Sequence, residues 1–195
     1  MTEEASLSTE KTASSQHCPV RRRFLTGVTA ALAGTMLLPS TDVLAKSMDH
    51  RTLSFQHTHT NERLDVTYFD RGHYNYSALF EVERHLRDHR TGDLHRIDPK
   101  LLDILFMIST ITGAEDPFHV ISGYRSPKTN QMLQHRSSGV AKRSLHMQGR
   151  AIDIRVPDVS LNKIRDSALA LKQGGVGYYS RSNFIHIDTG RVRNW

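Results

Sequence analysis

Cys18 is the only cysteine in 195 residues, and it lies ahead of an apolar run near the N-terminus. That single fact removes two ways of holding a small fold together: a disulfide framework and a zinc site built from several thiolates. What remains is an apolar core assembled from patterned helices and strands, with any metal taken by imidazole and carboxylate. Imidazole is plentiful, at 12 His. With 24% charged and 37% hydrophobic residues the composition is that of a globular chain, neither a disordered tail nor a multi-span membrane protein, and the length suits one domain. A net charge of +6 favours anionic partners without choosing among nucleic acid, cell-wall polymer and lipid.

The first forty-five residues read as an address. A polar stretch to Pro19 is followed by Arg21-Arg22-Arg23-Phe24-Leu25 and an apolar run to Leu38 that Gly27 and Gly34 interrupt. At roughly 15 residues this run is too short to span a bilayer core. Val43-Leu44-Ala45 supplies a small-x-small cleavage pattern, and paired arginines before x-Phe-Leu resemble the twin-arginine export signal. An ordinary secretory signal holding three arginines is the plainer alternative. The expectation is a removed leader, 1–45, and a single domain, 46–195, that is exported to the periplasm without a membrane anchor. Cleavage there removes four basic and four acidic residues, leaves the net charge at +6, and leaves no cysteine to oxidise.

Within 46–195 the patterning alternates between periods of two and about 3.6. Leu53–His57 and Leu64–Phe69 read as a hairpin across a polar connection, and Tyr76–Arg90 as an amphipathic helix with a His/Arg-rich outer face. Asp98-Pro99 and Ser126-Pro127 each pair an N-cap with proline at the first helical position. They open helices through Ile111 and Leu133. Phe118–Ser122, Arg150–Val156, Gly174–Tyr179 and Phe184–Asp188 read as strands, Ser160–Lys172 as a helix, and His135–Ser144 as a surface loop. The order predicts an α+β fold: a small, mainly antiparallel sheet with helices packed on one side and a zinc site on the sheet.

Two segments carry chemistry: Ser144-Leu145-His146-Met147-Gln148-Gly149-Arg150-Ala151-Ile152-Asp153, and Asn183-Phe184-Ile185-His186-Ile187-Asp188. If the loop bearing His146 folds back over the sheet, its imidazole meets the Asp153 carboxylate, and His186 adds a third ligand from a neighbouring strand. His, Asp and His form the nitrogen/oxygen set that suits Zn²⁺ and leave a coordination position open, the mark of a catalytic rather than a structural zinc.

These segments, with Ser122-Gly123-Tyr124-Arg125-Ser126, Gly174-Gly175-Val176-Gly177-Tyr178-Tyr179 and His186-Ile187-Asp188-Thr189-Gly190, resemble the LAS-type zinc peptidases. That superfamily comprises D-alanyl-D-alanine carboxypeptidases, dipeptidases and murein endopeptidases, and the nearest likeness is to the murein endopeptidase K group over almost the whole chain. The resemblance implies His146, Asp153 and His186 as zinc ligands and Arg125 as the arginine facing substrate and developing oxyanion. It implies peptidoglycan stem peptides as substrate, with a D-Ala–diaminopimelate or diaminopimelate–diaminopimelate bond cut by metal-activated water. One departure stands out. Where many relatives carry a Glu, Asp or His as general base, two or three residues before the last zinc histidine, this chain has Phe184 and Asn183. Asp188, the carboxylate nearest in sequence, shares a strand face with His186 and is the candidate for that task, or else it fixes the imidazole's tautomer or simply pairs with an arginine.

The plainer alternatives are definite. Arg125 can bond loop carbonyls, Ser122 and Ser144 can position backbone or substrate, and Tyr178 and Tyr179 can be core or groove wall. His57, His59, His85, His89 and His95 read as surface residues, His119 as a core imidazole, and His135 as a weaker site candidate. Arg136, Lys142 and Arg143 can attract stem carboxylates or simply be solvated charge. No nucleic-acid module is visible, and a monomer is expected. Two rival functions follow: a D-Ala-D-Ala carboxypeptidase or dipeptidase, and a zinc-containing peptidoglycan-binding domain that has lost activity.

Overall fold

A computed structural model describes residues 49–137 and 139–195; the leader expected over 1–45, with Cys18, lies outside them. Eight strands form one sheet in the order β3-β2-β1-β4-β5-β7-β6-β8. The strands are β1 (His50–His57), β2 (Arg63–Asp70), β3 (His73–Tyr74), β4 (Phe118–Ser122), β5 (Ala151–Arg155), β6 (Gly175–Tyr179), β7 (Phe184–Asp188) and β8 (Arg193–Asn194). The helices are α1 (Tyr76–His85), α2 (Pro99–Thr112), α3 (Pro127–Arg136) and α4 (Leu161–Leu171). The class is α+β and the sheet mostly antiparallel, as expected. Two pairs, β1/β4 and β6/β8, run parallel, so the sheet is mixed.

Local chemistry fixes the helix starts. Asn75, Asp98, Ser126 and Ser160 each accept a backbone N–H of the first turn, and Pro99 and Pro127 occupy the first helical positions, where no donor is needed. Helix α1 ends five residues before the expected Arg90. Asp88 intervenes: its carboxylate accepts the Arg90 N–H at 2.9 Å, a local bond that competes with helix continuation.

Strand alternation separates core from site. On β5, Ile152 and Ile154 enter the main core with Ile185 and Ile187 of β7, while Ala151 and Asp153 occupy the other face. Helix α2 packs on β1 and on α4, which reaches β6 and β7, and α1 packs on β2. Among the described residues no helix is long and apolar enough to cross a membrane.

The histidines at the β1–β2 hairpin depart from expectation. His57 is fully buried and His85 nearly so. Their rings lie 5.9 Å apart edge to face, and His89 stacks on His59 at 4.2 Å. His57 and His85, which read as solvated, are buried, whereas His59 is exposed as expected.

Candidate metal centre and its cavity

Residue pairing assembles the centre. Antiparallel β5 and β7 set Asp153 opposite His186. His146 arrives on a short 3-10 turn, Leu145–Gln148, that Ser144 opens by accepting the His146 N–H at 3.4 Å. Gly149 closes that turn in the left-handed region, at φ 63°, and any Cβ there would overlap the Arg96 carbonyl. The chain can therefore turn straight from His146 into β5.

Three donor atoms converge. His146 Nε2 lies 3.2 Å from both Asp153 Oδ1 and His186 Nδ1, and His186 Nδ1 lies 2.8 Å from Asp153 Oδ1. Each imidazole is tied at its opposite nitrogen. His146 Nδ1 donates to the Gly123 carbonyl at 2.7 Å, and His186 Nε2 donates to Asp188 Oδ2 at 3.0 Å. With both ring protons directed outward, the lone pairs of His146 Nε2 and His186 Nδ1 and a carboxylate oxygen face one another. Arg125 Nη2, 3.2 Å from His146 Nε2 and paired with Asp153 Oδ2, offsets part of this crowding, and two imidazole nitrogens and a carboxylate oxygen so gathered are a donor set that fits a metal. This is the one cluster of at least three His, Cys, Asp or Glu ligand atoms found close enough for an ion among the described residues.

The three groups shift one another's titration. Burial pushes the Asp153 carboxyl up, but His146 and His186 outweigh it and hold it far below the ordinary carboxylate range. Burial lowers His146. It acts in the same direction on His186, where bonds to Asp153 and Asp188 prevail and raise it.

Asp188 is fully buried and saturated. Its Oδ1 accepts Gly175 N–H, Gly190 N–H and Arg193 Nη1, and its Oδ2 accepts Arg193 Nη2 and His186 Nε2, all between 2.6 and 3.0 Å. Burial raises its pKa, and these five donors reverse that and leave it well below the usual carboxylate value. It does not line the cavity. A carboxylate so placed holds His186 in orientation and has no free lone pair for a water in the cavity.

The cavity above the centre has a volume of about 550 Å³. Arg125 enters it with Nε donating to Ser122 Oγ at 2.8 Å and Nη2 paired with Asp153 Oδ2. Arg125 thus bonds side chains of the site itself, not loop carbonyls. Ser144 also reaches the wall. Tyr179, Phe184 and Trp195 form an aromatic side: Tyr179 stacks on Phe184 at 4.6 Å, and Trp195 Nε1 donates to the Tyr179 hydroxyl at 2.8 Å. Tyr178 packs on the core instead. Among the described lining residues Asp153 is the only carboxylate, and His146 and His186 are the only imidazoles. Asn183 lies exposed on a different depression beside His119, so Phe184, not Asn183, shares the site face with His186. His135 is exposed and away from the cavity.

Sequence reasoning passed over Arg193, Asp88 and Trp195. Gly174 and Gly175 were the available sign of the first. A Cβ on Gly175 would overlap both Arg193 Nη1 and Asp188 Oδ2, and one on Gly174 would overlap the Asp188 carbonyl, so the double glycine marks where Asp188 and its arginine press against backbone. Asp88, buried, accepts both the Ser126 N–H and hydroxyl, at 2.9 and 2.7 Å, and so anchors the loop that presents Arg125.

A buried His/Asp/His cluster beneath an arginine-bearing cavity, on a mostly antiparallel sheet, defines a metallopeptidase-like site. The chain belongs to the Peptidase_M15_2 family, whose model, described as Peptidoglycan L,D-endopeptidase MepK, matches residues 45–195. It is 39% identical over 175 residues to the Peptidoglycan L,D-endopeptidase MepK of Escherichia coli (strain K12), covering 89% of this chain and 96% of that one. It is also 39% identical over 176 residues to a Probable peptidoglycan L,D-endopeptidase MepK of Haemophilus influenzae, covering 90% and 95%. The expected kinship with the murein endopeptidase K group is therefore met. Among solved structures, the Serratia marcescens L-Ala D-Glu endopeptidase ChiX is similar over 50% of this chain and 70% of its own, at 18% identity and a TM-score of 0.33, a likeness too slight to bear on function.

Proposed function

We propose that this chain is a zinc-dependent endopeptidase that hydrolyses peptide cross-links of peptidoglycan in the periplasm. The observation that carries the reading is the convergence of His146 Nε2, Asp153 Oδ1 and His186 Nδ1, with each imidazole tied outward by an acceptor. These three residues would hold the ion. Zn²⁺ bound there supplies Lewis acidity toward a scissile carbonyl and brings the pKa of a bound water toward ~7.

The chain's own residues do the rest. Asp188 fixes the His186 ring so that Nδ1 faces inward, and Arg193 fixes Asp188. Both are positioning residues. Arg125, its Nε held by Ser122, presents a guanidinium at the cavity floor, where it stabilises charge that develops on the carbonyl oxygen of the transition state. Ser144 holds the turn that carries His146 and borders the substrate. The aromatic side formed by Tyr179, Phe184 and Trp195 excludes water from one flank of the peptide. The relatives' designation as L,D-endopeptidases favours, of the two bonds considered, the diaminopimelate–diaminopimelate bridge. There an L-centre carbonyl meets a D-centre amine. Export by the twin-arginine-type leader, 1–45, fits a substrate outside the cytoplasm.

A second reading, a non-catalytic peptidoglycan-binding domain, draws on one observation: no carboxylate besides Asp153 lines the cavity among the described residues. Muropeptide chromatography of sacculi incubated with the zinc-loaded protein, with and without chelator, separates the readings. Chelator-sensitive conversion of cross-linked dimers to monomers is expected. An unchanged profile with zinc bound favours the binding domain, and pentapeptides trimmed to tetrapeptides favour a carboxypeptidase.

A further inference from the structure

Three arginines line the cavity, and they differ in what already engages them. Arg125 is paired with Asp153, and Arg193 is paired with Asp188 through both Nη atoms. Arg143 is exposed and has no hydrogen bond or ion pair with any described residue. It is thus the one cation of the wall, among the described residues, with its charge unspent. The two other basic residues of this stretch, Arg136 and Lys142, are exposed but do not line the cavity.

The segment carrying Arg143 is not a free surface loop. Ser137, Gly139, Val140, Ala141, Arg143 and Ser144 all border the cavity. Two amide side chains of α3, Asn130 and Gln134, donate to the single Ala141 carbonyl, each at 3.2 Å. At the other end Ser144 is buried and caps the His146 turn. The backbone on both sides of Arg143 is therefore held, and it carries the guanidinium three residues from a candidate metal ligand.

We infer that Arg143 is a specificity residue that binds a free carboxylate of the substrate peptide. The inference rests on the peptidoglycan reading above and deepens it. Stem peptides built from D-glutamate and diaminopimelate keep carboxylates that the amide backbone does not use. A guanidinium matches a carboxylate with two parallel donors, and it discriminates against the neutral amide that replaces one oxygen acceptor with a donor group. Close to a metal centre, a carboxylate fixed at Arg143 would set which residue of the stem lies over the cluster, and hence which bond is presented.

The test uses Trp195, the only tryptophan of the chain and part of the cavity wall, as a fluorescence reporter that needs no turnover. The full-length, zinc-loaded protein is titrated with uncross-linked disaccharide-tetrapeptide and with the same muropeptide amidated at diaminopimelate or at D-glutamate. Wild type should bind the free acid about 10- to 100-fold more tightly than one of the amidated forms, the scale of a charge-assisted hydrogen-bonded pair. In Arg143→Ala that preference should vanish through weaker binding of the free acid, and Arg143→Lys should retain only part of it. A wild type that binds both amidated forms as tightly as the free acid overturns the inference, and so does an Arg143→Ala protein that still discriminates. Carboxylate-selective binding together with an unchanged muropeptide profile of sacculi would instead leave Arg143 assigned and remove the endopeptidase reading.

Discussion

Acidification should destabilise this fold through His57, by an amount that can be worked out. The side chain is fully buried, and its Nδ1 accepts the backbone N–H groups of His59 and Thr60, at 3.2 and 3.3 Å, at the tip of the β1–β2 hairpin. Its proton is therefore on Nε2, which finds no partner among the described residues. A second proton would have to go on Nδ1, where it would face two N–H donors. Burial, then the neighbouring His85, His89 and His59, push its pKa from 6.5 to about 4, against a weaker pull upward from Glu62. The unfolded chain takes up this proton near 6.5 and the folded chain does not until about 4, so the unfolded state binds more protons throughout that interval. Stability contributed by the neutral ring is complete above 6.5, is lost as pH falls toward 4, and amounts to at most about 3 kcal/mol.

The matching variant is His57→Asn, whose side-chain oxygen can accept the same two N–H groups in an Asx turn and does not titrate. Urea unfolding should be followed for both proteins at several pH values from 7.5 to 4.5, in chelator so that metal occupancy does not change with pH. The lost ring volume gives the variant a constant deficit at neutral pH. That deficit should shrink by 1–3 kcal/mol as the pH falls to 4.5, and it can change sign. His89, also lowered to about 4 by burial and by charges including Arg90 and His59, leaves a residual slope in both proteins. A difference between the two proteins that stays flat across the whole interval would refute the reasoning.

Three further outcomes are expected. Arg125→Ala should lower kcat on cross-linked muropeptides on the order of 100-fold. Arg125→Lys should not rescue it, because a single ammonium cannot hold Ser122 and face the substrate together. Asp188→Asn should weaken zinc binding 10- to 100-fold in competition with a chromogenic chelator, since an amide is a poorer acceptor for His186 Nε2–H and turns donors toward Arg193. Gly175→Ala should depress both activity and melting temperature, because the new methyl overlaps the Arg193–Asp188 pair; full activity would mean that this pair is dispensable.

Much of the architecture was legible because its signals are short-range. The Asp98-Pro99 and Ser126-Pro127 caps announce α2 and α3 from two residues each. The alternation of Ala151 to Arg155 places Asp153 opposite the core-facing Ile152 and Ile154. Residue type and spacing singled out His146, Asp153 and His186, and the structure brings their three donor atoms together. What escaped depends on partners distant in sequence. The two-residue strand β8 has too little length for any pattern, yet it seats Arg193 on Asp188. The buried state of His57 and His85 could not be read from a polar hairpin and a His/Arg-rich helix, because the rings that cover them, His89 on His57 and Phe55 on His85, come from distant elements. Asp188 illustrates a subtler limit. Alternation puts it on the same strand face as His186, and only the donors from Gly175, Gly190 and Arg193 reveal that this carboxylate is fully occupied.

The pairing of Asp153 with His186 across β5 and β7 has a consequence for assembly. Strand β7 reads Phe-Ile-His-Ile-Asp, and a slip by one residue would present Ile185 or Ile187 to the cluster while turning His186 into the core. Such a slip is costly in burial, because it would expose Ile185 and Ile187, both now in the core, and turn two polar side chains, His186 and Asp188, inward. A cation gripped jointly by His146, Asp153 and His186 rewards only the correct alignment. A metal held at the proposed centre would add to the burial cost of the wrong register, and refolding with zinc present should then yield a larger fraction of correctly registered protein than refolding without it.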